Sequence, residues 1–196
     1  SQMTETGVNY ANALADAQKQ GFAEADPTND VCGFDAARKL AILSSIGFRA
    51  NVTFDDVLVE GIEKIDKSDI QYAKDMGYTI KLLTVALRQE NGIALNVYPA
   101  FLPDNHPLSS VKGAYNAIYV TGNIVDDVMF YGRGAGALPT ASAVMGDVIS
   151  TAQHILNGST GTGMIMTDTK RIPFYSSLKL QNSYYFRLDV DDVTGV

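Results

Sequence analysis

The stretch from Glu24 to Leu43, EADPTNDVCGFDAARKLAIL, limits what this chain can fold into more than any other. An acidic, proline-containing loop runs straight into a helix that is otherwise almost wholly apolar. At 3.6 residues per turn, Ile42, Asp35, Ile46, Lys39, Leu43, Ala36 and Leu40 share one broad arc. Ala37, Ala41, Ser44 and Ser45 fall on the opposite arc, and Arg38 lies between the two. The pattern predicts that Asp35 and Lys39 sit within the apolar stripe, away from water. A charge placed there is costly unless it is paired or used. Two readings follow. Asp35 and Lys39 form an ordinary i,i+4 ion pair worth about 0.2–0.5 kcal/mol, or they line a cleft to which the loop brings Glu24 and Asp30.

The rest of the chain bounds the class of function. With 196 residues, 46% of them hydrophobic, it can bury one sizeable core or a core with an appendage. A net charge of −7 argues against nucleic acid and anionic membrane as partners. One cysteine, Cys32, excludes an intrachain disulfide and suits a reducing, cytoplasmic compartment. No apolar run reaches the ~20 residues that cross a bilayer, and the start carries no signal-peptide pattern. Beginning at Ser1-Gln2-Met3, the chain reads as an excised piece of a longer protein.

Residues 9–20 are expected as an Ala-rich helix stopped by Gly21, and residues 33–46 as the apolar helix, ending near Gly47. Thr53 is placed as the N-cap of a short helical turn, and Ser68 to Gly77 as a capped helix with a glycine stop. Strands follow at 78–88 and 93–99 around Asn91-Gly92, which predicts a type I′ turn, and at 116–121 and 126–132 around Gly122-Asn123. A long helix spans 138–156 with Pro139 at its first position, and a last strand runs over 178–190. The Gly/Ser/Thr-rich stretch from Asn157 to Gly163 is the clearest boundary. The fold class is therefore α+β: a mainly antiparallel sheet with helices packed on one face, leaving a β surface open for a sheet-mediated dimer.

Other sites are weaker. Gly132-Arg-Gly-Ala-Gly136 follows a strand and opens a helix, but a dinucleotide fingerprint would need glycine at Ala137 and a parallel βαβ unit. His106 and His154 lack metal-ligand partners at useful spacing and read as structural; no metal site is expected. Cys32 has no local base and reads as a bystander.

The pattern E-A-D-P-T-x-D-V-x-G-x-D-A-A-R-K at 24–39 resembles the substrate-site signature of homoserine dehydrogenases. A second block, YGRGAGALPTASAV at 131–144, is similar to another part of that family. The resemblance implies a substrate-binding and dimerisation region over about 1–156, with 134–156 normally packing on a separate nucleotide-binding domain. It also implies a linker over 157–172 and the truncated start of an ACT regulatory domain over 173–196. It implies reversible, NAD- or NADP-dependent interconversion of aspartate 4-semialdehyde and homoserine, in threonine and methionine biosynthesis, by a homodimer. Hydride addition to an aldehyde leaves an alkoxide that must be stabilised and protonated, and an ammonium can do both. The resemblance gives Lys39 that role, Asp35 the positioning of Lys39, and Glu24, with Asp30, the substrate's ammonium. Gly134 and Gly136 become cofactor contacts in the intact enzyme. These 196 residues alone are expected to hold no cofactor and to be inactive. The rival reading is a non-catalytic amino-acid-binding or regulatory dimerisation module.

Overall fold

A computed structural model describes residues 2–21, 23–134, 136–159, 172–174, 182–188 and 190–191. The chain begins with helices α1 (Gln2–Thr6), α2 (Tyr10–Lys19), α3 (Thr28–Val31) and α4 (Phe34–Phe48). Asn9 caps α2 by accepting the Asn12 amide hydrogen at 2.9 Å, and Gly21 beyond its end is left-handed at φ +72°, as expected of a glycine stop. Thr53 and Asp56 close a reciprocal capping box over the 3-10 turn Phe54–Asp56. Then come β1 (Leu58–Val59), α5 (Lys67–Asp75), β2 (Tyr78–Gln89) and β3 (Gly92–Pro103). After a 3-10 turn at Pro107–Ser110, the hairpin β4 (Tyr115–Gly122) and β5 (Asp126–Arg133) leads into α6 (Ala137–Leu156).

The main sheet has the order β1-β3-β2, with β2 and β3 antiparallel over their whole length and β1 parallel to β3. The hairpin β4-β5 forms a separate two-stranded sheet. Helix α4 packs on the main sheet: Ala37, Leu40 and Ala41 join Ile93, Leu95 and Val97 of β3 in the core, with Leu82 and Ala86 of β2 against them. Gly33 makes this approach possible. Its φ is +80°, and a Cβ there would lie 3.0 Å from the Val97 side chain. Phe174 packs on the same core, and the Ile93 amide donates to the Pro173 carbonyl at 3.0 Å. The architecture is α+β, as the strand and helix patterns predict.

Several local expectations are corrected. The α4 helix ends near Gly47 as expected, at Phe48, but its C-cap is Arg49, left-handed at φ +50° without being glycine. The cap of α5 is Asp66, not Ser68, because the Asp66 carboxylate reaches the Ser68 and Asp69 amides at 2.7 and 3.0 Å. Glu90 and Asn91 join β2 to β3, and neither they nor Gly92 has positive φ, so the turn is not type I′. Pro139 is the third helical residue of α6, a place where its missing N–H is still not required. Residues 182–188, expected within a strand, form no ladder; side-chain contacts hold them instead, and 178–181 and 189 lie outside the described residues.

Candidate active site

The largest correction concerns the face that α4 buries. The core-facing residues are Ala37, Leu40, Ala41, Ser44 and Ser45. Apart from Leu40 at its edge, the broad arc of large apolar residues points the other way: Ile42 is 62% exposed, and Leu43 and Ile46 are also open. Small side chains let the helix axis come close to the strands, and that contact decides the orientation. Asp35 and Lys39 therefore share an apolar face as expected, but on the outside of this chain. Their carboxylate and ammonium are 2.6 Å apart, with the Lys39 side chain 67% exposed.

The acidic turn is built by local hydrogen bonds. The Asp26 carboxylate accepts from the Thr28 hydroxyl at 2.6 Å and from its amide at 3.1 Å, an Asx turn that starts α3. The Thr28 hydroxyl is the main reason the Asp26 carboxyl is held below its ordinary pKa. Asp30, half-buried in α3, reaches back to the Glu24 amide at 3.4 Å, and Gln18 of α2 donates to the Glu24 and Ala25 carbonyls at 2.9 and 3.2 Å. The backbone of Glu24 is thus held from two sides. Its carboxylate has no hydrogen bond or ion pair among the described residues.

Arg38 joins the turn to the helix, a role that the pattern on the helical wheel did not reveal. Its guanidinium donates to the Asn29 side chain at 2.9 Å and lies over the Phe54 ring, 5.3 Å from the centroid. The sequence signal was its place between the two arcs of α4. Asp30 meets the Glu24 backbone in the turn, and Asp35 meets Lys39 along α4.

The remaining candidates are resolved differently. Burial, a hydrogen bond to Glu63, and the charges of Glu63 and Asp26 all push the Cys32 thiol up, which keeps it protonated. The His106 ring accepts the Leu108 amide hydrogen at 3.1 Å and caps the 3-10 turn at Pro107, a structural task. Gly134 and Gly136 lie where the antiparallel strand β5 passes into α6. A Cβ on Gly134 would meet the Asn116 side chain, 2.7 Å from its Cγ, so packing alone explains this glycine. Among the described residues no parallel βαβ unit surrounds the turn. No helix of the described residues is long and apolar enough to cross a membrane.

The family model for homoserine dehydrogenase matches residues 1–149. This chain belongs to the homoserine dehydrogenase family. A homoserine dehydrogenase of Corynebacterium glutamicum is 44% identical over 199 residues, covering 99% of this chain and 44% of that protein. The crystal structure of a homoserine dehydrogenase from Thiobacillus denitrificans superposes with a TM-score of 0.83 at 38% identity, over 89% of this chain and 42% of that one. A hyperthermophilic archaeal homoserine dehydrogenase mutant in complex with NADPH matches with a TM-score of 0.60 at 28% identity, over 78% of this chain and 42% of that one. The chain thus spans less than half the length of these homoserine dehydrogenases.

Proposed function

We propose that this chain is the substrate-binding half of an NAD(P)-dependent homoserine dehydrogenase that interconverts aspartate 4-semialdehyde and homoserine. The observation that carries the reading is the Asp35–Lys39 pair on an accessible apolar face; the turn that precedes it in the chain carries the Glu24 carboxylate, held by its backbone to Asp30. An ammonium in open water is fully hydrated and screened, so it gains catalytic strength only when that face is covered. The exposure of Ile42, Leu43 and Ile46 supports a covering partner, and the matched relatives are more than twice as long as the region this chain spans.

In this reading Lys39 donates a proton to the nascent alkoxide oxygen and takes it back in the reverse direction. Asp35 fixes the ammonium, and Glu24 accepts hydrogen bonds from the substrate's α-ammonium. Asp30 braces the Glu24 backbone and adds negative charge to the same end of the substrate. NAD or NADP supplies or accepts the hydride when bound, and most of its site belongs to parts of the protein outside this chain. Gly134 and Gly136 at the start of α6 would make only an edge contact with it. The NADPH complex of the archaeal relative supports the cofactor class.

The same reading makes the protein a homodimer in the cytoplasm. Ile118, Val120, Met129, Phe130 and Tyr131 of the β4-β5 hairpin are 38–63% exposed, which suits a sheet-mediated contact between copies. Helix α6 buries none of its residues and is assigned to packing on the nucleotide-binding region. Residues from 173 onward are assigned to the start of an ACT regulatory domain. Family membership favours this dehydrogenase over a non-catalytic amino-acid-binding module.

The test is Lys39→Ala in the full-length protein. Turnover of aspartate 4-semialdehyde with NAD(P)H should fall at least a hundredfold, in line with the loss of a general acid. The melting temperature should hold, because an exposed i,i+4 pair contributes only about 0.2–0.5 kcal/mol. Unchanged turnover would remove Lys39 from the mechanism.

A further inference from the structure

A second polar site lies away from α4. Residues Thr79 and Lys81 are two apart on β2, so both side chains leave the sheet on one face, opposite to Leu82, which packs against the α4 core. They line a cavity of about 260 Å³ with Thr4 and Glu5 of α1, Ser109 of the 3-10 turn after β3, and Lys112 just beyond it. The lining carries two ammonium groups and the Thr4 hydroxyl; the Thr79 hydroxyl donates to the Asp104 carboxylate at 2.7 Å and the Ser109 hydroxyl to the Asp104 and His106 carbonyls at 2.8 and 2.7 Å, so both serve as walls of the space.

The two positive charges are only partly compensated, by Glu5 of the same lining. Among the described residues neither Lys81 nor Lys112 has a carboxylate within ion-pair distance. The Lys81 ammonium donates to the Val111 carbonyl, which satisfies one of its three hydrogens. Burial, and then the neighbouring charge of Lys112, hold the Lys81 amine below its ordinary pKa, partly offset by Glu5. Two cations placed together in a partly buried cavity cost free energy unless an anion joins them. The volume suits a group of a few heavy atoms.

We propose that this cavity binds a small oxyanion, held by the Lys81 and Lys112 ammonium groups with the Thr4 hydroxyl beside them. The recognised chemistry is a compact, delocalised negative charge with several acceptor oxygens, as in free phosphate or the carboxylate of a small metabolite. Glu5 lines the same space and opposes the anion, so its charge sets the affinity from the other side. The site does not depend on the assignment of Lys39 and Asp35.

Calorimetric titration of the full-length protein with sodium phosphate, and separately with sodium acetate, against sodium chloride at equal ionic strength tests this. At least one oxyanion should bind saturably where chloride does not; phosphate alone or acetate alone identifies the source. Lys112→Ala, an exposed position, and Lys81→Met should each weaken that binding about tenfold or more, the loss of a charge-assisted hydrogen bond. Glu5→Gln should strengthen it. Because Lys81→Met also removes the contact with Val111, the Lys112 and Glu5 variants decide if it fails to fold. Heats no larger than those with chloride, or oxyanion binding that Lys112→Ala and Glu5→Gln leave unchanged, would overturn the proposal.

Discussion

The Arg187 guanidinium lies 2.8 Å from the Asp69 carboxylate, to which it also donates a hydrogen bond across 118 residues of sequence. The same nitrogen is 2.7 Å from the Asp66 carboxylate. Asp66 and Asp69 are the two halves of the capping box of α5, so the cap places two negative charges side by side. Arg187 neutralises both, and the Tyr185 hydroxyl adds a bond to Asp69 at 3.2 Å while its ring stacks on Phe101 at 4.8 Å. The segment 182–188 is thereby fastened to α5 and to the end of β3.

Asp69 is largely buried, with its side chain 8% exposed, so removing its cation leaves a carboxylate with fewer partners in a poor solvent. Arg187→Ala is expected to destabilise the protein by about 1.5–3 kcal/mol in urea unfolding, the range for hydrogen bonds to charged groups. Arg187→Lys should recover only part of it, because an ammonium is more strongly hydrated than a guanidinium and costs more to bring beside a buried carboxylate. A loss below about 0.5 kcal/mol, the level of an ordinary surface change, would mean the fastening is ornamental.

The same cluster predicts an acid limb. The Asp66 carboxyl is held below its ordinary value, first by the Asp69 amide against the opposing effect of burial, and then by Arg187 and the Ser68 amide. A depressed carboxylate contributes stability above the unfolded-state value of about 3.9, and that contribution disappears as pH falls through the folded value. Asp66→Asn should therefore be less stable than the natural protein at neutral pH, and the gap should close below about pH 4. A gap independent of pH would place the Asp66 contribution in packing.

Gly61 sits where backbone meets backbone. A Cβ there would collide with the Val31 carbonyl oxygen and lie 2.7 Å from the Cys32 Cα, at the point where α3 turns into α4. The Ile62 amide donates to that same Val31 carbonyl at 2.9 Å, which pins the two segments together. Gly61→Ala should cost about 1–3 kcal/mol by overpacking, and by displacing α3 it should raise the KM for homoserine in the full-length enzyme. Native KM with a destabilised fold would separate the acidic turn from substrate binding.

Ser44 faces the sheet from α4 and is 3% exposed, yet among the described residues its hydroxyl has no hydrogen-bond partner. Its neighbour Ser45 is satisfied, exchanging bonds with the Val52 amide and carbonyl at 3.2 and 3.3 Å. An unpaired buried hydroxyl costs free energy that a methyl group does not. Ser44→Ala is expected to raise stability by about 1 kcal/mol, while Ser45→Ala should lower it. A fall in stability in Ser44→Ala, measured by thermal unfolding, would mean that the hydroxyl is paired after all.

Much of this molecule follows from short-range rules. Asn9 as a cap, the stops at Gly21 and Gly77, the capping box at Thr53 and the β2-β3 and β4-β5 pairs all rest on neighbours in sequence. The acidic turn and the Asp35–Lys39 pair were legible for the same reason, because both are local arrangements. The orientation of α4 was not. Its two faces are both apolar, and periodicity cannot say whether bulky Ile42 and Ile46 or small Ala37 and Ala41 meet the sheet; only the strands, by admitting a close helix, decided it. Arg187 was equally illegible, since its partners lie more than a hundred residues away and no spacing rule reaches that far. Sequence determined which groups carry charge beside one another along the chain, and tertiary packing decided which of them face water, because burial depends on the shape of a surface that distant segments build.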